Sequence, residues 1–145
     1  MDRMARRGGV AASTCEMKSG LFGGCRGAAV AVCQYCGRSF CEAHGVRLED
    51  GQEICARKRC QEKRSDLARH LAYKEAVAER NRQGLCGVAE CHTRYGGQCS
   101  KCHGFYCLRH LQERQELVRK GMTTVARPAS MCDHCWKRRP LWSRT

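Results

Sequence analysis

Fourteen cysteines among 145 residues, a C-x2-C-x4-C-x2-H run written twice, and only 21 Leu, Ile, Val and Phe residues predict a small metal-dominated α+β fold. The same observations divide it into two tandem modules joined by a helix. The shortage of large apolar side chains limits the core that the chain can build. Combined with a formal charge of +13, it would ordinarily leave a chain disordered, because too little apolar surface is buried to offset chain entropy. A chain this poor in core needs staples, either disulfides or metal ions.

The N-terminal stretch MDRMARRGGVAASTC is basic but holds no apolar run suited to a secretory leader, and none follows the Arg6-Arg7 pair. No segment approaches the ~18 apolar residues of a membrane span. The expectation is an intracellular protein, cytoplasmic or nuclear, whose thiols stay reduced and serve as metal ligands. Neither the C-x2-C-x2-C nor the C-x4-C-x2-C spacing of iron–sulfur clusters occurs, which leaves zinc.

The repeat sets the ligand count. Residues 33–44 read CQYCGRSFCEAH and residues 99–110 read CSKCHGFYCLRH. Upstream, Cys25 precedes Cys33 as Cys91 precedes Cys99, C-x7-C in both, and Cys15 and Cys86 stand one ligand earlier. Downstream, copy one closes with Cys55 and Cys60 and copy two with Cys132 and Cys135. Each copy thus holds seven Cys and one positioned His, enough for two tetrahedral sites, and no cysteine is left over. The expected cofactor is four Zn2+ per chain.

Each element follows from its residues. Residues 1–14 are expected to be a flexible N-terminus, and the glycine-rich GLFGGCRG a flexible approach to Cys25. In the first module, 15–60, Cys33 and Cys36 form a knuckle, with Gly37 free to take φ > 0 just after it. Phe40, like Tyr106 in the second copy, should fill the small core beside the metals. Cys41 and His44 are three apart, as are Cys107 and His110, which puts each pair on one face of a helical turn. VRLEDGQEIC then reads as a hairpin bending at Asp50-Gly51. The connection, 61–84, holds a helix over 61–82 capped by Ser65 or Asp66, with Ala68, Leu71, Ala72 and Ala76 as its packing stripe and Gly84 past its end. The second module, 86–135, is expected to continue as a helix with Leu108, Leu111 and Val118 on one stripe, then a loop containing Pro128. Residues 136–145 form a basic tail.

Within a copy, the four ligand pairs can be joined sequentially or crosswise. The short interval from Cys36 to Cys41 favours the crossed wiring, because the Cys41–His44 turn folds back toward the first pair. The expected sites are Cys15, Cys25, Cys41, His44; Cys33, Cys36, Cys55, Cys60; Cys86, Cys91, Cys107, His110; and Cys99, Cys102, Cys132, Cys135.

The run C-x7-C-x2-C-x4-C-x2-H resembles the centre of B-box fingers and of the AN-one-type fingers of stress-associated proteins. CGRSFC is also similar to the C-G-x-x-F-C of FYVE fingers. The resemblance covers 15–60 and 86–135 and implies binuclear, cross-brace, treble-clef-like zinc fingers. It departs from both families in closing each module with cysteines rather than histidines. The basic string of FYVE fingers is absent, so phosphoinositide binding is not implied, and the central spacing of RING fingers is absent too. The families imply a protein-interaction adaptor acting in protein assembly and in ubiquitin-linked or stress pathways.

Catalysis is not expected. A catalytic zinc keeps an open position, whereas each inferred site is filled by four protein ligands, and no H-E-x-x-H or deaminase motif occurs. The alternative to the adaptor is a nucleic-acid binder, possibly a structural part of a ribonucleoprotein. Residues 57–82 carry nine Lys/Arg against four acids, and in the tail Trp136, Lys137, Arg138, Arg139 and Trp142 could combine base stacking with phosphate contacts. Fourteen metal-bound thiolates and four Zn2+ bring the net charge down to about +7, an ordinary value for a small domain. The adaptor is the expected function, and no membrane or small-molecule partner is expected. His70, His92, His103 and His134 are surplus to the ligand count and are expected to face solvent.

Overall fold

A computed structural model of the chain describes residues 13–20 and 23–143. Two compact units divide at Ser65 and Asp66. Each is a small α+β assembly whose sheets, among the described residues, have two antiparallel strands apiece.

In the first unit, β1 (Lys18–Ser19) pairs with β2 (Gly23–Gly24), β3 (Ala31–Val32) with β4 (Ser39–Phe40), and β5 (Gly45–Arg47) with β6 (Glu53–Cys55). The first turns of a long helix, α1 (Lys58–Arg82), follow. Of the expected flexible N-terminus, residues 1–12 lie outside the described residues. Thr14 bridges Ala28, and Ser13 accepts from the Ala29 amide. Gly23 and Gly24 of the glycine-rich approach are strand residues in β2.

The knuckle between β3 and β4 turns where expected, with Gly37 at φ 73. The Asp50-Gly51 hairpin is present too: Gly51 sits at φ 89, Leu48 and Gln52 bond across the turn, and Asp50 accepts from the Gln52 amide. Phe40 and Ile54 are fully buried beside Met17, Ala31 and the cysteines. Gly45 must remain glycine for reasons of space, because a Cβ there would lie 2.3 Å from the Phe40 ring.

The second unit holds the rest of α1, then β7 (Gly97–Gln98) paired with β8 (Phe105–Tyr106), β9 (Leu111–Lys120) paired with β10 (Thr123–Cys132), and α2 (Asp133–Trp142). Its core is Val77, Tyr106 and Met131 among a second set of buried cysteines.

Three expectations are corrected here. The helix-then-loop predicted after His110 is a ribbon of two ten-residue strands. Gly121 and Met122 make its two-residue turn, with Gly121 at φ 62, and the ladder pairs the inward-facing backbone groups of the two strands with each other. Pro128 sits within a strand, opposite Gln115, where its missing N–H is not needed. Next, α1 starts at Lys58, so Ser65 and Asp66 lie inside it and cap nothing. Finally, the predicted packing stripe is its solvent face: Ala68, Leu71, Ala72 and Ala76 are exposed, Leu71 by 56%. The inward face is Asp66, His70, Tyr73, Val77, Arg80 and Asn81, at helical spacing but mostly polar, so hydropathy does not reveal it. The helix does end as expected. Leu85 N–H reaches Arg80 O and Gly84 N–H reaches Asn81 O around Gly84 at φ 77, a Schellman cap.

Candidate metal centres

Four groups of donors converge, each with its ligating atoms within 4.8 Å of one another. They are Cys15, Cys25, Cys41, His44; Cys33, Cys36, Cys55, Cys60; Cys86, Cys91, Cys107, His110; and Cys99, Cys102, Cys132, Cys135. These are the crossed groupings rather than the sequential ones. All fourteen cysteines are free thiols.

Local structure explains the convergence. In the first unit the β3–β4 knuckle presents Cys33 and Cys36, while the Glu42–His44 3-10 turn presents His44 next to Cys41. The β5–β6 hairpin carries Cys55 back to the knuckle, and the first turn of α1 brings Cys60. The second unit repeats the plan with a longer hairpin, so that β10 delivers Cys132 and α2 delivers Cys135.

Distances test whether these donors fit an ion. A tetrahedral zinc with ordinary bond lengths sets sulfur–sulfur edges of about 3.8 Å and sulfur–nitrogen edges of about 3.6 Å. Cys25 and Cys41 sulfurs lie 3.8 Å apart, Cys36 and Cys55 3.7 Å, Cys102 and Cys132 3.9 Å, and Cys91 and Cys107 4.0 Å. Nδ1 of His44 is 3.6 Å from Cys15 Sγ and 3.2 Å from Cys41 Sγ, and Nδ1 of His110 is 3.5 Å from Cys86 Sγ and 3.3 Å from Cys107 Sγ. Disulfides would require about 2.05 Å. Each group can therefore hold a metal ion, and sets of four sulfurs or of three sulfurs and one imidazole suit zinc.

Electrostatics agree. Burial opposes ionisation of Cys33, but amides of Cys55, Cys36 and Tyr35 outweigh it and bring the thiol down to about 7. The Thr93 amide, more than any other group, brings Cys91 down to about 6. In the fourth set Cys99 and Cys132 are lowered while Cys102 and Cys135 are raised: bonds to Cys102 and Cys135 bring Cys132 down to about 6, and Cys102 and Cys132 push Cys135 up. Four thiolates can share one site only with a cation among them. Backbone amides supply further N–H···S bonds, from Gly27 to Cys25 and from Lys101 and Cys132 to Cys99.

Comparisons with protein families, with curated proteins and with solved structures return no match. The donor geometry carries the reading alone.

Around the second unit's centres the structure adds groups that sequence reasoning missed. Tyr106 Oη lies 3.2 Å from Cys102 Sγ and 2.8 Å from Tyr73 Oη, and Tyr73 Oη lies 3.6 Å from Cys132 Sγ. Burial raises both phenols, so each keeps its one proton, and Tyr106 donating to Cys102 Sγ leaves Tyr73 to donate to Tyr106 Oη or toward Cys132 Sγ. Arg80 holds the Cys86 and Cys91 carbonyls, and the Asn81 amide bonds both N–H and C=O of Phe105, taking the place of a strand. No sequence pattern marks these two, since their targets are backbone atoms.

His92 and His103 are exposed as expected, but His103 occupies a left-handed conformation, φ 61, at the position matching Gly37. His70 and His134 depart from expectation. They are half-buried, stacked and bonded at 3.0 Å, with Tyr73 against His134, because the polar face of α1 packs on α2.

The residues of the basic tail belong to α2 as far as Trp142. Guanidiniums of Arg139 and Arg114 lie 3.5 and 4.6 Å from the Trp136 ring centre. Arg138 Nε and Trp142 Nε1 both donate to Asp66 Oδ2, at 2.8 and 2.7 Å, and Lys137 pairs with Asp133.

No helix among the described residues is long and apolar enough to cross a membrane.

Proposed function

We propose that the chain is a non-enzymatic protein-interaction adaptor. In this reading four Zn2+ ions hold two cross-brace, treble-clef-like fingers of the kind found in B-box and AN-one-type proteins. The observation that carries it is the closure of the donor sets: all fourteen cysteines stand in groups of four, leaving no thiol over as a nucleophile and no group one ligand short. Such centres supply folding energy, not Lewis-acid chemistry. Protein is favoured over nucleic acid because the aromatic and basic side chains best suited to bases are engaged within the second unit. Trp136 lies against two guanidiniums, and Arg138 and Trp142 share Asp66. By contrast Leu108, Leu117 and Met122 are exposed by 79%, 73% and 96%.

Affinity capture with the zinc-loaded chain tests the proposal. The adaptor should retain proteins after nuclease treatment and in moderate salt, and lose them when Arg38 or Arg94 is replaced without loss of zinc. Binding that disappears with nuclease, falls steeply with salt and depends on Trp136 and Trp142 would establish nucleic acid as the partner instead.

A further inference from the structure

The β9–β10 ribbon has two edges, and they are treated differently. The register pairs Pro128 with Gln115, and Pro128 has no N–H to give, so this pair does not exchange ladder bonds. Alternation along the ladder then turns the N–H and C=O of Ser130 and Cys132 outward on β10. They point as this requires: Ser130 O accepts from Ser100 N–H at 2.8 Å, and Cys132 N–H points at Cys99 Sγ. The β10 edge is thus covered at its base and blunted by proline above it.

On β9 the same alternation turns outward the backbone of Glu113, Gln115, Leu117 and Arg119. These groups have no backbone partner among the described residues, and all four side chains are exposed. Among the described residues neither Glu113 nor Arg119 forms an ion pair. A long, open strand edge is a template for another strand, and folded proteins normally block it. Here one edge is blocked and the other is not.

Glu113 and Arg119 lie at equal distances on either side of Glu116. A two-fold axis at Glu116 sets Glu113 opposite Arg119 of a second copy, twice, and Gln115 opposite Leu117, twice. All four couples join residues whose backbone faces outward, as a bonded ladder requires. The two Glu116 carboxylates meet on the other face, each already neutralised by Lys101 and Arg127 of its own chain. The resulting four-stranded sheet would end in two β10 edges, both blunted, so the assembly closes at two copies and does not grow. We infer that the open edge of β9 is a self-association surface, where two copies of this chain pair antiparallel about Glu116.

Sedimentation equilibrium on the full zinc-loaded chain tests this. The expected result is a concentration-dependent dimer. Leu117→Pro removes an outward N–H and leaves the β9–β10 ladder its bonds. Glu113→Arg and Arg119→Glu each set like charges opposite one another at both ends. Each variant should raise the dimer Kd by about tenfold or more while keeping its zinc. Mixing the Glu113→Arg chain with the Arg119→Glu chain should restore a heterodimer, because every charge then meets its opposite. Should Leu117→Pro fail to fold, the mixed charge variants decide alone. A chain monomeric up to about 1 mM, or charge variants that dimerise as well alone as mixed, overturns the proposal. The result is independent of whether a protein partner is captured in the adaptor test.

Discussion

A hydroxyl separates the two copies at their most buried rings, Phe40 in the first and Tyr106 in the second, each fully enclosed. The ring fills space in both; only Tyr106 also reaches a metal-ligating sulfur. Tyr106→Phe should therefore keep the ring's packing and the zinc count but lose the contacts with Cys102 and Tyr73. The expected cost is about 1–2 kcal/mol, confined to the second unit, read from urea unfolding of the zinc-loaded protein. A loss of zinc would mean the hydroxyl is needed to hold the ion. At this scale the donors themselves were legible, since C-x2-C knuckles and repeated spacing are read from sequence order alone. Arg80 and Asn81 were not, because an arginine or asparagine on a helix looks the same whether it meets water or the carbonyl of a ligand-bearing loop.

Elements were legible where turn chemistry marked them, as in the Asp50-Gly51 hairpin and the Gly84 cap, and misread where faces are polar or patterns ambiguous. The inward face of α1 has one fully buried aliphatic residue, Val77, while its alanine-rich face meets solvent. What docks that face is bonding, with Asp66 at its centre. Burial works against the Asp66 carboxylate, yet Trp142 and Arg138 hold it below the usual carboxylate range. Its contribution is thus present above the unfolded pKa and lost as pH falls through the lower folded value. Asp66→Ala should free α2 from α1 and cost about 3 kcal/mol, because a largely buried guanidinium loses its partner. Trp142 fluorescence should shift to the red in the folded variant. An unchanged spectrum and stability would show that α2 is held otherwise.

For the whole molecule, the decisive quantity is metal. The chain has 21 Leu, Ile, Val and Phe residues, and cysteines make up most of both buried clusters. Site formation is then folding free energy. Native mass spectrometry of protein purified without chelator should show four zinc ions; two ions, or a mass deficit from disulfides, would contradict the four-site reading. Chelation should abolish cooperative thermal unfolding and most of the circular dichroism signal, with weak helicity surviving in α1. The tandem plan was legible at this level because metal-stapled folds write their contacts as spacings. The length of the second hairpin was not, because nothing in a ligand count limits what lies between ligands.

That hairpin length has a consequence of its own. The first copy joins its knuckle to its closing cysteines through three strand pairs, the second through ten, and both end on the same rung, Gly45 opposite Cys55 and Leu111 opposite Cys132. The rungs next to it are tied in as well, with Met131 in the core, Ser130 bonded to Ser100 and Glu116 paired with Lys101. From Leu117 and Ala126 outward the second hairpin can be extended, trimmed or rewritten at the small entropic cost of a longer loop. This makes the outer hairpin the place where one copy of the repeat can diverge without endangering its fold, and where a foreign sequence could be grafted while the candidate metal centres stay intact.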